Sequence, residues 1–431
     1  MRLLVLYHAG FTFTPTIQHY LEAFRQSSVC QVVDYFNVDQ PDPCIEFAYY
    51  DAVFVNFCVT SLARLEKPPK FWLTLIGALA GFHGIKIAAV QDEYDQTDAV
   101  KAFFLTIGLD IVLTNVPAEW VRRVYSEPGF DQVEFLSVRT AYLCACDDQP
   151  VITPLAERPI PLGYRGRELP WRFGDLGWHK AEVGRQFRRA CERRDIRCDI
   201  AVDEDSRFQS DAWLQFVSRC RVMLGTPSGS NIFDFDGSLA RRLAARFREN
   251  PKLRYDEVRD EVLAHDVGVD MGQVSARIFE AVSRGTALAL IRGSYSKVIE
   301  PDEHYVPIEP DYSNVDEVLD RILDVPAMQA MAERAFAHVM ADPANRYEAL
   351  IDTLMPRATG GRVQDSPGQA CRTLPVTAFP LGTDPYLVEQ LFATHRELKA
   401  READLRKFIQ AAAEGRLEVV KTDASTYRVL T

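Results

Sequence analysis

Short apolar runs alternate with amphipathic segments along the first 140 or so residues. The runs RLLVLY (2–7), DAVFVNF (51–57), KIAAVQ (86–91), DIVLTN (110–115) and VEFLSV (133–138) predict buried strands. Between them, TIQHYLEAFRQS and DAVKAFFLTIG have the spacing of amphipathic helices. Regular alternation of strand and helix predicts a parallel sheet covered by helices on both faces. We therefore expect an N-terminal Rossmann-like domain at residues 1–147.

A second alternating block follows a proline-rich, acidic stretch at 148–159, which predicts an interdomain linker. Strands are predicted at IPLGY, CDIAV, RVMLG and TALALI, and helices at AEVGRQFRRACERRD and ARIFEAVSRG. This block predicts a second Rossmann-like domain at 160–325, with a helical insertion at 239–264 and closing helices at 326–356. The fold class is therefore α/β, with two tandem Rossmann-like domains that face a cleft.

The last part of the chain has a different pattern. A linker is predicted at 357–384, and a charged amphipathic helix at 385–415 within a C-terminal helical extension at 385–431. Leu391, Leu398 and Leu405 repeat every seven residues, but a coiled coil usually shows at least three to four such heptads. Both a homo-oligomer formed through this helix and packing within the chain fit the pattern.

Composition and charge narrow the function classes. The 431 residues include 49 Lys and Arg against 61 Asp and Glu, a formal net charge of −12. Proteins that bind a phosphate backbone usually carry a basic domain or stripe, so we expect no nucleic acid as a partner. An anionic small molecule then needs a local basic pocket. No apolar stretch reaches the ~18 residues of a membrane span. Nine cysteines, several in apolar runs, favour a cytoplasmic, reducing location.

The first strand of the second block leads into a basic, glycine-rich segment. IPLGYRGRELPWRFGDLGWHK contains Gly163 and three further glycines, together with Arg165, Arg167, Arg172 and Lys180. In open parallel sheets, ligands bind beyond the carboxyl ends of the strands. Glycine lets backbone N–H groups approach a ligand, and the cations supply counter-charge, so the segment predicts a diphosphate site. A basic surface loop paired with acidic side chains is the alternative.

The next strand ends in small polar residues. GTPSGSN places Ser228, Gly229, Ser230 and Asn231 where sugar or phosphate hydroxyls would bind. The Asp-x-Asp that ends at Asp236 resembles a metal-binding pair, but a two-residue match is common, so turn or acceptor-hydroxyl roles are favoured and we expect no metal.

The helix ARIFEAVSRG carries one acidic residue in an apolar stretch. Burying Glu280 is costly unless its carboxylate accepts hydrogen bonds, which a ribose diol can donate. An intrahelical pair with Arg277 is the alternative.

In this order, the basic glycine loop, GTPSGSN, the F-E-A helix and GSYSKVIEPDEHYVPI resemble the group 1 glycosyltransferases, in particular a bacterial family 1-like subgroup. The resemblance covers roughly residues 1–355 and implies the GT-B architecture, in which the second of two facing Rossmann domains holds a nucleotide-sugar donor. It implies that Arg165 and Lys180 contact the donor diphosphate and that Glu280 contacts the ribose. Arg277 of the helix, and Tyr295 and Ser296 of the GSYSK segment, join this predicted donor site.

One position departs from the family pattern. The acid that usually precedes the ribose-binding Glu by eight positions is Gly272 here. Asp236 and Gln273 are the candidates for its role. A retaining mechanism is therefore not implied by the motif.

The first block supplies candidate groups for the acceptor. His8 follows the first strand, and Asp92 and Glu93 follow KIAAV, so all three are expected at the cleft. Any of them can serve as the base of an inverting transfer, and each also fits a plain binding or loop role. Both inverting and retaining chemistry stay open.

The resulting expectation is a metal-independent glycosyltransferase. Its donor is a nucleoside diphosphate sugar, which is a substrate, and no cofactor is expected. The acceptor is expected to be a glycan, a lipid-linked molecule or a protein. A nucleotide-sugar epimerase and a non-catalytic GT-B scaffold are the alternatives.

Overall fold

The computed structural model describes residues 1–11, 15–39, 45–65, 67–69, 71–144, 147, 152–208, 210–359, 418–421 and 427–430. Within these residues, no helix is both long enough and apolar enough to cross a bilayer.

The first half of the protein is built on a parallel six-stranded sheet with the order β2-β1-β3-β4-β5-β6. Leu3, Leu4, Val5 and Leu6 have no exposed surface because helices cover both faces of the sheet. Its strands are β1 (Arg2–Tyr7), β2 (Val32–Asn37), β3 (Ala52–Val55), β4 (Ile85–Ala89), β5 (Ile111–Thr114) and β6 (Glu134–Ser137). Its helices are α1 (Pro15–Glu22), α2 (Phe57–Thr60), α3 (Phe71–Gly81), α4 (Thr97–Ile107) and α5 (Val121–Val124).

The second half contains a parallel five-stranded sheet with the order β11-β10-β9-β7-β8. Its strands are β7 (Ile160–Arg165), β8 (Cys198–Ala201), β9 (Cys220–Gly225), β10 (Ala287–Ile291) and β11 (Val306–Ile308). Its helices are α6 (Gly174–Arg193), α7 (Ser210–Arg219), α8 (Ser238–Glu249), α9 (Arg259–Leu263), α10 (Ala276–Ser283), α11 (Val315–Leu323), α12 (Val325–Ala341) and α13 (Tyr347–Thr359).

Helices α8 and α9 form the insertion between β9 and α10. Leu239 and Leu243 of α8 pack on Tyr255 and Val262 in a small core of their own. Apolar residues on either side of the insertion, Met271 among them, pack into the core of the first half. The insertion therefore fastens the second half to the first.

The opposite end of the molecule is also fastened. The chain returns to the first half at α13, where the Tyr347 hydroxyl donates to the Thr16 carbonyl at 3.0 Å. The Leu143 N–H donates to the Asn345 carbonyl at 2.8 Å. These contacts explain why Met1–Val376 form one compact unit that includes both sheets.

The second compact unit comprises Thr377–Thr431. Its described residues form an antiparallel pair of strands, β12 (Glu418–Lys421) and β13 (Tyr427–Leu430). The helix predicted at 385–415 lies outside the described residues.

The predicted fold is confirmed: the chain is an α/β protein with two tandem Rossmann-like sheets. The predicted domain boundaries remain predictions. Strand β2 and helix α7 are among the elements that had no counterpart in the prediction. Strand β2 lies at the edge of its sheet and has the sequence VVDYFN, so its polar residues interrupt the apolar run that marks the other strands.

Candidate functional site

Lys180 lies at the centre of a polar cluster beyond the carboxyl ends of β7 and β9. Its Nζ donates to the Thr226 hydroxyl at 3.2 Å, the Pro227 carbonyl at 3.0 Å and the Ser228 hydroxyl at 3.4 Å. Helix α6 carries Lys180, and the loop after β9 carries its partners. Lys180 and the small-residue loop, both predicted as site elements, are therefore adjacent.

The electrostatic surroundings of Lys180 are unusual. Burial, together with the nearby Arg277 and Arg167, lowers the pKa of Lys180 to about 7, whereas the carboxylate of Asp92 acts to raise it. Lys180 is thus near two arginines of the second half and near one carboxylate of the first half. We call Lys180, Arg277, Arg167 and Asp92 the charged cluster.

Asp92 is exposed and is held in a constrained loop. Its backbone is left-handed, with φ of 54°, a conformation that costs free energy in a non-glycine residue. The Tyr94 hydroxyl donates to the Asp92 carboxylate at 2.6 Å. Arg64 donates to the carbonyls of Gln91 at 2.7 Å and of Asp92 at 3.1 Å. These bonds fix the position of the carboxylate at the end of β4.

Glu93 has a different environment from that of its neighbour. It is 1% exposed, and it accepts hydrogen bonds from the Thr114 hydroxyl, the Asn115 N–H at 2.8 Å and the Tyr125 hydroxyl at 2.6 Å. Burial raises the pKa of Glu93, and the three donors oppose that change. The expectation that Glu93 faces the cleft is not met: its carboxylate anchors the loop from inside the first half.

Residues 92–96 of the first half meet the second half directly, along a line that we call the seam. Arg172 makes a bidentate ion pair with Asp95 at 3.0 and 2.9 Å. The Gln96 N–H donates to the Asp234 carbonyl at 2.9 Å, and the Asp234 N–H donates to the Tyr94 carbonyl at 2.8 Å. The loop that carries Asp92 is therefore bonded to both halves.

The Asp-x-Asp pair at the seam serves helix α8. The buried carboxylate of Asp234 accepts from the N–H groups of Leu239 at 3.0 Å and Ala240 at 2.8 Å. Asp236 is exposed and accepts from the Ser238 N–H at 2.8 Å, and this bond lowers the pKa of Asp236. Carboxylates are favourable at helix N-termini. Among the described residues, no group of three or more His, Cys, Asp or Glu side chains is placed to hold a metal ion.

Arg165 ends β7, but its guanidinium turns away from the charged cluster. It pairs with the Asp199 carboxylate at 2.7 Å and lies over the rings of Phe208 and Phe216 at 4.7 and 4.3 Å. It also donates to the Ser206 carbonyl at 3.1 Å. This differs from the expected diphosphate contact. Gly163 lies inside β7, within the predicted strand IPLGY, and packs against Cys220, where a side chain would not fit.

Glu280 and Arg277 lie on α10 beside an aromatic residue that the sequence did not single out. The Trp213 indole N–H donates to the Glu280 carboxylate at 2.7 Å. The Arg277 guanidinium lies 5.0 Å from the Tyr164 ring and 5.2 Å from the Trp213 ring, and it donates to the Arg165 carbonyl at 2.5 Å. Burial raises the pKa of Glu280. Glu280 is thus bonded to Trp213, where an intrahelical pair with Arg277 was the alternative.

The rest of the GTPSGSN loop supports its own fold. Gly229 has φ of 97° and passes close to the Met271 carbonyl. Ser230 is fully buried and bonds to the backbone of Ile232 at 3.0 and 3.1 Å. The Asn231 side chain accepts from the Met271 N–H at 2.9 Å. Of the predicted loop residues, Ser228 is the one that contacts Lys180.

The GSYSK segment is a run of left-handed residues. Tyr295, Ser296 and Lys297 have φ of 42°, 51° and 59°. Tyr295 is fully buried and donates to the Ile291 carbonyl at 2.6 Å, and Ser296 donates to the Gln273 side chain at 2.8 Å. Both side chains stabilise the loop.

The predicted substitutes for the family's missing acid lie elsewhere. The Gln273 side chain is bonded at both ends, to Ser296 and to the Asn115 carbonyl at 2.8 Å, and Asp236 lies at α8. An exposed carboxylate close to the position of the missing acid belongs to Asp270, which accepts from the Gly272 N–H at 2.9 Å. Its offset of two residues from the family position hid it in the sequence.

His8 follows β1, with 8% of its surface exposed. Its Nε2 lies 3.8 Å from the Asp39 carboxylate. Strand β3 lies between β1 and β4 in the sheet, so His8 and Asp92 follow strands that are not neighbours.

The charged cluster has a clear chemical capacity. Lys180, Arg277 and Arg167 can balance an anionic group such as a diphosphate. The fixed carboxylate of Asp92 can accept a proton from a hydroxyl on the other side of such a group. The site therefore combines a place for an anionic leaving group with a base.

No protein-family model matches the sequence, and the search of curated proteins found no match. Among solved structures, an α-glucosyltransferase in complex with UDP and a 13-mer DNA containing a HMU base is similar over 83% of this chain and 99% of its own, with a TM-score of 0.50 and 9% identity. T4 phage BGT in complex with UDP-glucose covers 82% and 99%, with a TM-score of 0.47 and 9% identity. Anabaena HepE in complex with UDP covers 84% and 100%, with a TM-score of 0.44 and 11% identity. At such identities the likeness concerns the fold: this chain has the GT-B fold of the α-glucosyltransferase.

Proposed function

We propose that this protein is a glycosyltransferase that moves a sugar from a nucleoside diphosphate sugar to an acceptor hydroxyl. The observation that carries the proposal is the charged cluster, in which cations of one Rossmann-like half face the carboxylate of Asp92 in the other. A fold alone does not define an activity, so the argument depends on this site.

The cations suit the leaving group of the reaction. As the glycosidic bond breaks, negative charge grows on the departing diphosphate, and preorganised donors at that point are usually the largest contribution to catalysis. Lys180 is held by three acceptors, and Arg277 is held between two aromatic rings, so both are already in place. Because these cations can balance the diphosphate, we propose that no metal is needed.

Asp92 is our proposed base. Its carboxylate belongs to the first half and lies near Lys180 of the second half, and Tyr94 and Arg64 hold its loop in position. A base that faces the leaving group across the reacting carbon activates a hydroxyl for attack from the opposite side. The proposal is therefore an inverting transfer, one of the two mechanisms that the sequence left open.

Trp213, Glu280 and Arg277 are proposed to bind the nucleoside. Glu280 offers a carboxylate to the ribose hydroxyls, as the family resemblance implies, and Trp213 holds that carboxylate in place. Aromatic faces stack readily on nucleobases. The solved GT-B structures named above hold UDP or UDP-glucose, so these are the first probes to use.

The acceptor is a hydroxyl on a larger molecule in this proposal. Glycans, lipid-linked molecules and proteins all offer such hydroxyls. The expected exclusion of nucleic acid is not supported by the comparisons, since one similar fold binds DNA.

The test measures donor binding and sugar transfer separately. Thermal shift with UDP, GDP, ADP and dTDP identifies the nucleotide, because a ligand stabilises the folded state that binds it. With the matching nucleotide sugar, Asp92→Asn is expected to lower turnover by about 10²- to 10⁴-fold, the usual contribution of a positioned base. Its nucleotide affinity should change by only a few-fold. NMR of the product should show inversion at the anomeric carbon.

Asp311→Asn is the matched control, since Asp311 is an exposed aspartate that bonds within its own turn to Ser313. It should keep full turnover. Stabilisation by no nucleotide would contradict the donor site, and full turnover of Asp92→Asn would contradict the base. Release of an epimerised nucleotide sugar without acceptor would favour an epimerase.

A further inference from the structure

Helix α8 and the residues after it are strongly basic in an acidic chain. Residues 238–254 contain six Lys and Arg and one Glu, a net charge of +5 in a protein whose net charge is −12. Acidic residues follow, and one of them, Asp256, pairs with Arg254. Residues 239–264 as a whole carry seven Lys and Arg against five Asp and Glu, so the positive excess of the insertion lies in α8 and the turn after it. A basic stripe of this kind is the electrostatic signature of a surface that meets a polyanion.

The outermost arginines of α8 are available to a partner. Arg241 and Arg248 are seven residues apart, so they lie on one face about 10 Å apart, opposite the buried Leu239 and Leu243. Arg241 donates to the Asp236 carbonyl at 3.1 Å, and Arg248 donates to a carbonyl of its own helix at 3.4 Å. Neither forms an ion pair with a carboxylate within the described part of the chain.

The adjacent arginines of α8 differ in this respect. Arg242 and Arg246 face α9, and both pair with Glu261, at 3.4 and 2.7 Å. One carboxylate thus neutralises one of two charges. One charge of this pair is left over on the side of α9, and Arg241 and Arg248 add two on the outward face. Glu249 and Lys252, a negative and a positive residue, are both exposed nearby.

An exposed aromatic ring lies next to this face. Phe247 is 44% exposed, and its ring centroid lies 5.2 Å from that of Trp171. Proteins that bind single-stranded nucleic acid combine cations along the backbone with aromatic rings on which bases stack. Phe247 lies about 100° around α8 from Arg248, so it borders the arginine face. We define the outward face of α8 as Arg241 and Arg248 with the bordering Phe247 and the exposed Lys252, which together have both features.

The face leads to the proposed active site. The first turn of α8 lies at the seam, where Gly237 is adjacent to both the Arg241 guanidinium and the Gln96 side chain. Gln96 belongs to the loop that carries Asp92 and is bonded to the Asp234 carbonyl at 2.9 Å. A polymer that follows α8 toward its N-terminus therefore arrives at this loop.

A membrane is a poorer partner for this helix. An interfacial helix needs an apolar face to insert between lipids. The apolar face of α8 is already used, since Leu239 and Leu243 are buried against Tyr255, Val258 and Val262. We infer that the outward face of α8 is a docking surface for single-stranded nucleic acid, which presents its acceptor group to Asp92. That the bound nucleic acid is the acceptor rests on the proposed function, whereas its binding to α8 does not.

The test uses the full chain and a fluorescein-labelled 20-nucleotide oligo(dT), with binding followed by fluorescence anisotropy between 50 and 300 mM NaCl. For single strands, the logarithm of the binding constant falls with the logarithm of the salt concentration, with a slope of about −0.7 per phosphate contact. Relative to 1 M salt, each contact therefore strengthens binding roughly eightfold at 50 mM salt. Arg241→Ser with Arg248→Ser should therefore weaken binding by about 60-fold and reduce the salt slope by about 1.4. Phe247→Ala should weaken binding without changing the slope.

The matched control is Arg189→Ser with Arg193→Ser on α6, two exposed arginines whose loss changes the net charge equally. It should bind oligo(dT) like the parent. Three results would overturn the inference: no binding by the parent at 50 mM salt, an equal loss in the control, or binding to phosphatidylserine vesicles in place of oligo(dT). Thermal stabilisation by UDP is measured on the same variants. A variant that loses oligo(dT) binding but keeps stabilisation by UDP has a defective docking surface and an intact donor site.

Discussion

Lys180 should take up a proton when a nucleoside diphosphate binds. In the free protein its pKa is about 7, lowered from 10.5 mainly by burial, so at pH 8 roughly one Lys180 in ten is charged. A diphosphate placed beside it favours the ammonium form and moves the pKa back toward its ordinary value. Binding at pH 8 should therefore take up about 0.9 proton per nucleotide, whereas at pH 6 Lys180 itself contributes only about 0.1 and the phosphate of the nucleotide also titrates.

The assay is isothermal titration of UDP, or of the nucleotide that stabilises the protein, in Tris and in HEPES at the same pH. The observed enthalpy changes with the ionisation enthalpy of the buffer, and the slope is the number of protons exchanged. The phosphates of UDP add little at pH 8, since a phosphate monoester loses its second proton near pH 6. Lys180→Met should bind more weakly and show no uptake.

The same substitution changes stability in a predictable direction. A lysine with a lowered pKa binds fewer protons in the folded state than in the unfolded state between about pH 7 and 10.5, so stability rises with pH in this window. Below pH 7 the folded protein bears the full cost of keeping a charged lysine buried. At about 1.4 kcal/mol per unit of pKa difference, this cost lowers the free energy of unfolding by as much as ~5 kcal/mol. Lys180→Met should therefore be more stable than the parent at pH 6 in urea unfolding. Tight nucleotide binding at pH 8 without proton uptake would refute the reasoning.

Two further substitutions separate structural from functional arginines. Arg165→Met should lower the free energy of unfolding by about 1–3 kcal/mol, because it removes an ion pair and several hydrogen bonds, while UDP affinity is retained. Weaker UDP binding at unchanged urea stability would speak against this. Arg172→Ala should lower kcat about tenfold with little change in nucleotide Kd, because it removes the ion pair that holds the Asp92 loop to the second half. Arg172→Lys should restore part of the rate, and Asp95→Asn should add little to Arg172→Ala if the two act as a pair.

Much of the fold could be predicted because apolar runs in a parallel sheet are continuous. The four central residues of β1 are fully buried, and such runs mark strands without further information. The edge strand β2 was not predicted, because polar residues interrupt its apolar run. Lys180 could be found because it lies between the end of a strand and a helix, where parallel α/β sheets bind anionic ligands.

The parts of the site that could not be predicted depend on where long side chains turn. Arg165 is at the expected strand end, but its guanidinium lies over Phe208 and Phe216, and no spacing in the sequence encodes that direction. Glu93 follows Asp92 by one residue and is buried, whereas Asp92 is exposed. The net charge of −12 predicted that nucleic acid is not a partner, but a net charge sums over the whole chain and does not show the basic residues of α8.

The bonding at the seam has a consequence for the timing of the proposed reaction. Moving the halves apart would break the Arg172–Asp95 ion pair and two backbone hydrogen bonds between Tyr94–Gln96 and Asp234. If the spent nucleotide leaves only when the halves part, it leaves no faster than these bonds break. Product release, and not cleavage of the glycosidic bond, would then limit the turnover rate.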